Sequence, residues 1–280
     1  MVRAWKQQGE VLLQDIAAAK PDREQLVCWC LGQVGYVFKK GVTVAVDPVL
    51  NDITGEDGQT RRLYQPPFSA DALHVDYVLC THGHDDHMAL PTLTAMAAAF
   101  TDTLFLVPGG CVETLAAAGV SRERILPMQA GVEVILPGLT VRPVQAAHPV
   151  HEVDARGRDL ALCLNLELDG FEVLHLGDTY LTDQLLADLQ RLPKPDAAFL
   201  PINGGDYFRT ARNCIGNLNP LEAARLSVLL GAAVSVPTHF DMMMGNTADP
   251  LEFVRCLWQE DPAASFRIPA LGERLELRKA

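Results

Sequence analysis

Three histidines and two carboxylates crowd one short segment of this chain, His82-Gly83-His84-Asp85-Asp86-His87. Imidazole and carboxylate groups are costly to bury without polar partners, so packing alone does not explain this spacing. The same groups are the donors that zinc, manganese and iron(II) take in proteins. His82 and His84 can reach one cation, while Asp86 and His87 can reach a second cation beside it. The alternative is a polar turn in which Asp85 or Asp86 caps the helix that follows.

Three further donors are expected near this turn, because each comes directly after an apolar segment of the sequence. They are His148, Asp178 and His239. Functional side chains tend to gather on loops at the ends of strands. With these three residues the chain offers five imidazoles and two carboxylates, which is enough to hold two cations.

Other polar residues are given supporting or structural roles. His151 is a weaker alternative to His148, His175 lies within a predicted strand and is expected in the core, and His74 is expected at the surface. An imidazole ligand is usually oriented by a carboxylate or carbonyl group behind it. Asp47, at the end of an early strand, is predicted to orient one of the ligands. Its alternative role is to start the Asp-Pro turn.

Apolar runs of strand length alternate with helical segments along the chain. We predict strands at 26–36, 42–46, 75–80, 104–107, 132–136, 139–144, 161–168, 171–176, 197–200 and 234–236. We predict helices at 88–100, 111–118, 182–191, 221–230 and 251–259. Several strands follow each other too closely for a purely parallel design, so the pattern predicts mixed sheets flanked by helices, an α/β fold. No linker-like segment is visible, and residues 1–280 are predicted to form one domain.

Composition and charge argue against several classes of function. Apolar residues make up 49% of the chain and charged residues 21%, which is the balance of a globular protein rather than a disordered one. The formal net charge of −12 argues against binding along a nucleic-acid backbone. The seven cysteines, several of them in apolar runs, favour reduced thiols and a cytoplasmic location. We find no secretion signal and no apolar run of ~18 residues, so no membrane association is expected.

The order of these motifs resembles the metallo-β-lactamase superfamily. The matching features are the His82–His87 segment, a later lone histidine, Gly177-Asp178-Thr179 and Pro237-Thr238-His239. The resemblance implies a four-layer αββα sandwich, two mixed β-sheets flanked by helices, with two divalent metal ions at one edge. It also implies that His82, His84 and His148 hold the first ion, that Asp86, His87 and His239 hold the second, and that Asp178 bridges the two.

The C-terminal half is similar to the ascorbate-6-phosphate lactonase branch of that superfamily. The similarity covers Asn203-Gly204-Gly205-Asp206, an insertion at Tyr207–Leu218, Asn219-Pro220 and Thr238-His239-Phe240-Asp241. It implies a hydrolase that opens a lactone or ester of a phosphorylated sugar acid with a metal-bound hydroxide. The donor set suits manganese or zinc, with iron as an alternative. Asp86 is the predicted catalytic residue, which orients the hydroxide while it ligates the second ion.

Substrate selection is predicted to involve the insertion. Its two arginines, Arg209 and Arg212, match phosphate or carboxylate oxygens and point to a small anionic substrate, unless both are solvated loop residues. Asn203, Asp241 and Asn246 are predicted to contact the substrate as well. The sequence leaves the formation of a homo-oligomer open.

Three other functions remain as alternatives. A phosphodiesterase or nuclease would use the same donors, but a nuclease would be expected to carry a basic track. A diiron oxidoreductase of this superfamily resembles the chain less, since such relatives carry Glu where His84 stands. A non-catalytic metal-stabilised module would be expected to have lost donors, and no donor position is lost here.

Overall fold

The computed structural model describes residues 3–55, 58–212 and 214–279, which form two mixed β-sheets with helices on their outer faces. The first sheet consists of β1 (Gln25–Gly32), β2 (Gly35–Lys40), β3 (Val42–Val46), β4 (Tyr77–Leu79), β5 (Leu104–Pro108), β6 (Ile125–Met128) and β13 (Arg274–Arg278). Its spatial order is β13-β1-β2-β3-β4-β5-β6. The strands from β13 to β3 pair antiparallel, and those from β3 to β6 pair parallel.

The second sheet contains the remaining six strands of the described residues. They are β7 (Val134–Leu136), β8 (Leu139–Gln145), β9 (Leu162–Leu168), β10 (Phe171–His175), β11 (Ala197–Pro201) and β12 (Val234–Thr238), in the spatial order β12-β11-β10-β9-β8-β7. Strands β10 to β12 pair parallel, and β7 to β10 pair antiparallel. The predicted mixed sheets are confirmed.

The described residues form seven α-helices. They are α1 (Gly9–Ala18), α2 (Leu90–Ala99), α3 (Val112–Ala117), α4 (Asp183–Leu189), α5 (Tyr207–Thr210), α6 (Pro220–Leu230) and α7 (Pro250–Glu260). Residues of α1 to α3 pack with the first sheet in one apolar cluster, and residues of α4, α6 and α7 pack with the second sheet in another. A third cluster joins the facing sides of both sheets. The predicted four-layer αββα sandwich is therefore confirmed.

Strand β1 shows how the sequence builds these layers. Leu26, Cys28 and Cys30 point to the cluster between the sheets, while Val27 and Trp29 point to the helices. Successive side chains of a strand face opposite sides, so a strand covered on both sides is apolar at every position. All eight residues of β1 are accordingly buried.

The sheets bring the ends of several strands to one edge of the sandwich. Strand β3 runs parallel to β4. Strands β10 and β12 are both parallel to β11, so they also run in the same direction as each other. Strand β8 is antiparallel to β9, which is antiparallel to β10, so β8 and β10 run in the same direction. The segments that follow β3, β4, β8, β10 and β12 contain, in that order, Asp47, His82, His148, Asp178 and His239. The loops carrying the predicted donors thus share one edge.

The structure differs from the sequence predictions at several elements. The strand predicted at 26–36 is a hairpin of β1 and β2, with Gln33 in the turn. Strands β6 and β13 and helix α1 were not predicted, and Pro127 inside β6 is tolerated because that strand lies at the sheet edge. Helix α2 begins at Leu90 after Ala89, without a side-chain cap, so neither Asp85 nor Asp86 caps it.

Helix α6 begins with a capping box. Asn219 accepts hydrogen bonds from the backbone of Leu221 and Glu222, and the Glu222 side chain returns one to the backbone of Asn219. Pro220 occupies the first turn, where its missing N–H costs nothing.

Within the described residues, no helix is both long enough and apolar enough to span a membrane. The assignment of residues 1–280 to one domain stays a prediction.

Candidate metal centre

The seven predicted donors meet at the shared edge. Their ligand atoms form three groups in which all atoms lie within 4.8 Å of one another. These are His82 with His84 and His148, His82 with His87 and Asp178, and Asp86 with His87 and His239. We call the first of these the first donor group and the last the second donor group.

The first donor group consists of three imidazoles that face one another. His84 Nδ1 lies 2.9 Å from His82 Nε2 and 3.3 Å from His148 Nε2. Two nitrogen ligands bound at about 2.05 Å to one tetrahedral ion stand about 3.3 Å apart. His82 and His148 are buried, whereas His84 is exposed at the mouth of the site. The group fits one cation with an open side.

In the second donor group, Asp86 lies between two imidazoles. Its Oδ2 is 3.5 Å from His239 Nε2 and 3.8 Å from His87 Nε2. His87 and His239 are buried, and the Asp86 side chain is 18% exposed. This carboxylate is thus the member of the group that solvent or a substrate reaches.

Asp178 lies between the two groups, as a bridging ligand would. Its Oδ1 is 3.2 Å from His87 Nε2, and its Oδ2 is 3.2 Å from His239 Nε2 and 3.8 Å from His148 Nε2. Gly177 allows this approach, because it has a φ of +57° and a Cβ there would lie 2.6 Å from Thr81 Cβ. A larger residue at 177 would push the Asp178 loop away from the centre.

Asp47 contacts one of the imidazoles, and its orienting role stays a prediction. Its Oδ2 lies 2.8 Å from His87 Nδ1 and accepts from Thr81 Oγ1 at 2.7 Å, and its Oδ1 accepts from Thr81 N at 2.8 Å. With its Nδ1 proton donated to Asp47, a neutral His87 presents the lone pair of Nε2 to the centre. His87 Nε2 and Asp178 Oδ1 are buried without a hydrogen-bond partner among the described residues. The donor set and these two orphaned atoms fit a divalent cation.

Proton binding shows how strongly the carboxylates act on the imidazoles. Burial lowers the pKa of His87, but Asp178, Asp86 and Asp47 outweigh burial and hold it well above its usual value. Burial likewise lowers the pKa of His239, but Asp178 and Asp86 raise it to about 9. The positive charge of a proton on each of these two imidazoles therefore offsets the negative charge of the neighbouring carboxylates. A bound cation would displace these protons and supply the positive charge in their place.

The first donor group is electrostatically different. Burial lowers the pKa of His148 to about 4, although Asp178 opposes the effect. Burial and the neighbouring His87 lower the pKa of His82 well below its usual value. Both imidazoles are therefore neutral at pH 7, with lone pairs ready for a cation.

A cavity of about 320 Å³ opens above the donors. Five of the predicted donors line one part of it, namely His84, Asp86, His148, Asp178 and His239. Cys214, Ile215, Met243, Met244 and Asn246 line another part. No lysine or arginine of the described segments lines this cavity.

The predicted substrate residues differ in how near they come to the cavity. Asn246 lines it, and its Oδ1 accepts from Asn203 Nδ2 and Arg209 Nη1 at 2.9 Å each. Arg209 also binds the carbonyl of Asn203 and pairs with Asp206. Arg212 is exposed and donates its Nε to a backbone carbonyl 3.1 Å away. A substrate contact by Asn203, Arg209, Arg212 or Asn246 stays a prediction.

Asp241 does not line the cavity. Its Oδ1 accepts from Gln33 N and Tyr64 Oη at 3.0 Å each, and its Oδ2 pairs with Arg3. These partners occupy its oxygens, so the structure gives Asp241 a supporting role in place of the predicted substrate contact.

The remaining histidines lie outside the donor groups, so His151 does not replace His148, while His175 and His74 take the structural positions predicted for them. His151 binds Thr182 Oγ1 at 2.8 Å and belongs to none of the donor groups. His175 is buried and lies 2.8 Å from the carbonyl of Val34, and the exposed His74 pairs with Asp102. Gln33 was not predicted at the site, because no motif in the sequence marks it, and Cys214 and Ile215 were not named individually although they belong to the predicted insertion Tyr207–Leu218.

Comparison with known protein families agrees with this geometry. The family model described as "Beta-lactamase superfamily domain" matches residues 43–240. The chain belongs to this superfamily. A protein of Anoxybacillus flavithermus called "UPF0173 metal-dependent hydrolase" is 29% identical over 245 residues, which are 85% of this chain and 93% of that protein. The predicted superfamily is thus confirmed, and the ascorbate-6-phosphate lactonase branch stays a prediction.

Solved structures share the fold at low sequence identity. The metallo hydrolase Igni18 from Ignicoccus hospitalis has a TM-score of 0.68 and 22% identity, covering 91% of this chain and all (100%) of that one. The diiron β-hydroxylase CmlA from Streptomyces venezuelae has a TM-score of 0.67 and 16% identity, covering 93% of this chain and 55% of that one. A hydrolase and a hydroxylase thus share this fold, so the residues of the site must decide the reaction.

Proposed function

We propose that the protein is a metal-dependent hydrolase that opens an ester or lactone bond with two divalent cations. The observation that carries this proposal is the meeting of five imidazoles and two carboxylates at one edge of the sandwich, where five of these seven donors line a cavity. The relatives called metal-dependent hydrolases support the same class. Manganese and zinc suit the nitrogen and oxygen donors best, with iron as the alternative.

Each donor group would hold one of the two cations. His82, His84 and His148 would hold one cation, Asp86, His87 and His239 the other, and Asp178 would join them. Bound there, the cations supply acidity, lowering the pKa of a coordinated water toward ~7 and polarising a carbonyl oxygen. Every donor of the two groups and Asp178 is an imidazole or a carboxylate, so no thiolate would ligate the cations.

Asp86 is the proposed catalytic residue. Asp86 and Asp178 both line the cavity, but the side chain of Asp86 is 18% exposed and that of Asp178 only 5%. Histidine neighbours hold the pKa of Asp86 below its usual value against the opposing effect of burial. An ionised carboxylate in this position orients an attacking water and accepts its hydrogen bond.

The cavity favours a substrate with an apolar part. Ile215, Met243 and Met244 line it beside the donors, and methionine side chains adapt to apolar groups of different shape. A small ester or lactone with an apolar acyl part therefore fits this cavity.

A phosphorylated sugar-acid lactone is the narrower candidate. It is supported by Arg209, whose Nη1 donates to Asn246 at the cavity wall and whose side chain is 15% exposed. To bind a phosphate, this guanidinium group would have to exchange its present partners Asp206 and Asn203. Replacing Arg209 by Ala is expected to raise KM for a phosphorylated lactone more than for a neutral one, and equal effects would remove this candidate.

The general proposal is tested with metal-free protein. The protein is treated with a chelator, loaded separately with zinc, manganese or iron(II), and assayed on neutral esters, lactones, phosphorylated lactones and phosphodiesters. We expect metal-dependent hydrolysis of an ester or lactone and two bound cations per chain by metal analysis. Activity on phosphodiesters alone would favour the phosphodiesterase alternative, and cation binding without any hydrolysis would favour a non-catalytic module.

A further inference from the structure

A glutamine that no sequence motif singles out lies inside the second donor group. Gln33 sits in the turn between β1 and β2 and is 3% exposed. Its Nε2 donates to Asp86 Oδ2 at 2.8 Å and lies 3.0 Å from His239 Nε2. Both partners belong to the group that would hold the second cation. The amide therefore contacts two of the three second-group ligands.

The backbone at Gln33 is strained in the same way as two other residues of the centre. Among the described residues, four that are not glycine have a left-handed φ: Gln33 (+56°), Asp47 (+44°), Asp169 (+44°) and His239 (+56°). Asp169 belongs to the Asp-Gly turn between β9 and β10, and the other three lie at the metal centre. Such a conformation is unfavourable for a residue with a side chain and clusters at functional sites.

The surrounding residues hold the Gln33 turn from several sides. Gln33 N donates to Asp241 Oδ1 at 3.0 Å, and the Gln33 carbonyl accepts from His239 N at 2.9 Å. Asp241 is held in turn by Tyr64 and Arg3. The chain of contacts thus runs from Arg3 and Tyr64 through Asp241 to Gln33, and from Gln33 to Asp86.

The side chain of Gln33 is not needed to complete the hydrogen bonds of the protein core. Its Oε1 is buried and has no hydrogen-bond partner in the described part of the chain. A buried polar atom without a partner is costly, so an apolar residue would suit a purely structural turn better. A neutral amide also suits a cation site, because it donates to Asp86 without adding a positive charge beside the cation.

We propose that Gln33 is a positioning residue of the second donor group, with Asp241 holding it in place. The Gln33 amide donates to the carboxylate of Asp86 and packs against the ring of His239, 3.3 Å from its Nδ1 and 3.0 Å from its Nε2, so that both side chains are held where they would bind one cation. This inference rests on the proposed two-cation function. It predicts that Gln33 governs the affinity of the second cation and leaves the first one, bound by His82, His84 and His148, unaffected.

The test uses the full chain with Gln33→Met and Gln33→Asn. Methionine keeps the length of the side chain and removes the amide, whereas asparagine tolerates the left-handed backbone and its shorter amide does not reach Asp86. Gln145→Met is the matched control, because Gln145 Nε2 makes a comparable 2.8 Å hydrogen bond to Asp159 away from the centre. Metal-free proteins are titrated with zinc and manganese by calorimetry, and with cobalt(II) to follow the visible spectrum of each site.

We expect two binding events in the wild type and in Gln145→Met. In both Gln33 variants the second event should weaken ten- to a hundredfold, the usual effect of losing a group behind a metal ligand, while the first event changes less than threefold. Circular dichroism and thermal unfolding test whether each variant is folded. If Gln33→Met does not fold, the titration of Gln33→Asn tests the inference. Unchanged second events in a folded Gln33 variant would overturn the inference.

The role of Asp241 is tested by a double-mutant cycle. Asp241→Asn should weaken the second event in the wild type and add little in Gln33→Met, because both changes act through one amide. Independent, additive losses would show that Asp241 does not act through Gln33. A wild-type protein that binds no cation would instead refute the proposed function itself, and a single binding event would overturn the assignment of Gln33 to a second cation.

Discussion

The Asp47 carboxylate lies 2.8 Å from His87 Nδ1, and both side chains are completely buried. Asp47 follows β3 and His87 follows β4, so the parallel pairing of these two strands creates the contact. Thr81 donates to both oxygens of the same carboxylate, through its backbone N–H and its hydroxyl. These contacts hold Asp47 in place, so that Nδ1 of His87 faces Asp47 and Nε2 faces the centre.

Replacing Asp47 by Asn is therefore expected to weaken cation binding ten- to a hundredfold. One carboxylate oxygen becomes an NH₂ group that cannot accept from Thr81 or from His87, so the imidazole loses its orientation. Asparagine tolerates the left-handed φ of +44° at this position, so the backbone should stay in place. Calorimetric titration of the metal-free variant with zinc measures the loss.

Asp76→Asn is the control for this change. Asp76 also accepts a backbone N–H beside β3, from Thr43 at 2.7 Å, but it lies outside the donor groups. Its cation affinity should equal that of the wild type. If Asp47→Asn binds zinc as tightly as Asp76→Asn, then Asp47 does not orient a ligand.

Asp86→Ala should reduce hydrolysis by about 100-fold or more, because the change removes both a donor of the second group and the group that orients the attacking water. The side chain is 18% exposed and fills no core position, so the fold should persist. Steady-state kinetics on the best substrate of the panel, together with circular dichroism, measure both effects. Asp183→Ala, an exposed carboxylate on α4, is the control, and full activity in Asp86→Ala would contradict the mechanism.

The sequence contained most of the metal centre because its donors follow local rules. Four of them lie within one turn, and the other three each follow an apolar segment that became a strand or its extension. Parallel strands carry their carboxyl ends to one edge, so position along the strand was enough to bring these side chains together.

Contacts that depend on the packing of distant segments could not be predicted from the sequence in this way. Gln33 reaches Asp86 only because the segment predicted as one strand folds back as a hairpin. Asp241 was placed at the substrate because it follows His239, whereas its side chain turns toward Gln33 and Arg3. Strand β13 alternates apolar Leu275 and Leu277 with charged residues, a pattern too short to identify without its partner β1.

Cation binding should stabilise the folded protein. The unfolded chain keeps only the four donors of the His82–His87 segment close together, so a cation binds the native state more tightly and adds up to about 2.7 kcal/mol at a hundredfold excess over Kd. We expect Tm to rise by roughly 4 °C or more when zinc or manganese is added to metal-free protein. A chelator should reverse the shift, and His84→Ala, which alters an exposed donor, should shrink it. A Tm that changes with neither the cation nor the chelator would argue against a bound metal.

Asp15 gives the stability of the protein a dependence on pH that is separate from the metal centre. Its Oδ2 accepts from Trp29 Nε1 at 2.8 Å, and its Oδ1 accepts from Arg274 Nη1 at 3.1 Å. The carboxylate thereby connects α1 to β1 and β13. Burial raises the pKa of Asp15, but hydrogen bonds from Trp29, Gln7 and Arg274 outweigh burial and hold it below the ordinary value of 3.8.

Because the pKa of Asp15 is lower in the folded state, the unfolded state binds more protons between the two values. The stabilisation by Asp15 is therefore complete above about pH 4 and is lost as the pH falls through the folded-state pKa. Asp15→Asn should lower the free energy of unfolding at pH 7 by about 1 kcal/mol, since the side chain is 23% exposed and solvent screens its ion pair. Urea unfolding at pH 7 and pH 3 measures this loss, with Glu24→Gln, an exposed carboxylate near β1, as the control. The difference between Asp15→Asn and the wild type should shrink at pH 3, and a difference that grows on acidification would contradict the lowered pKa.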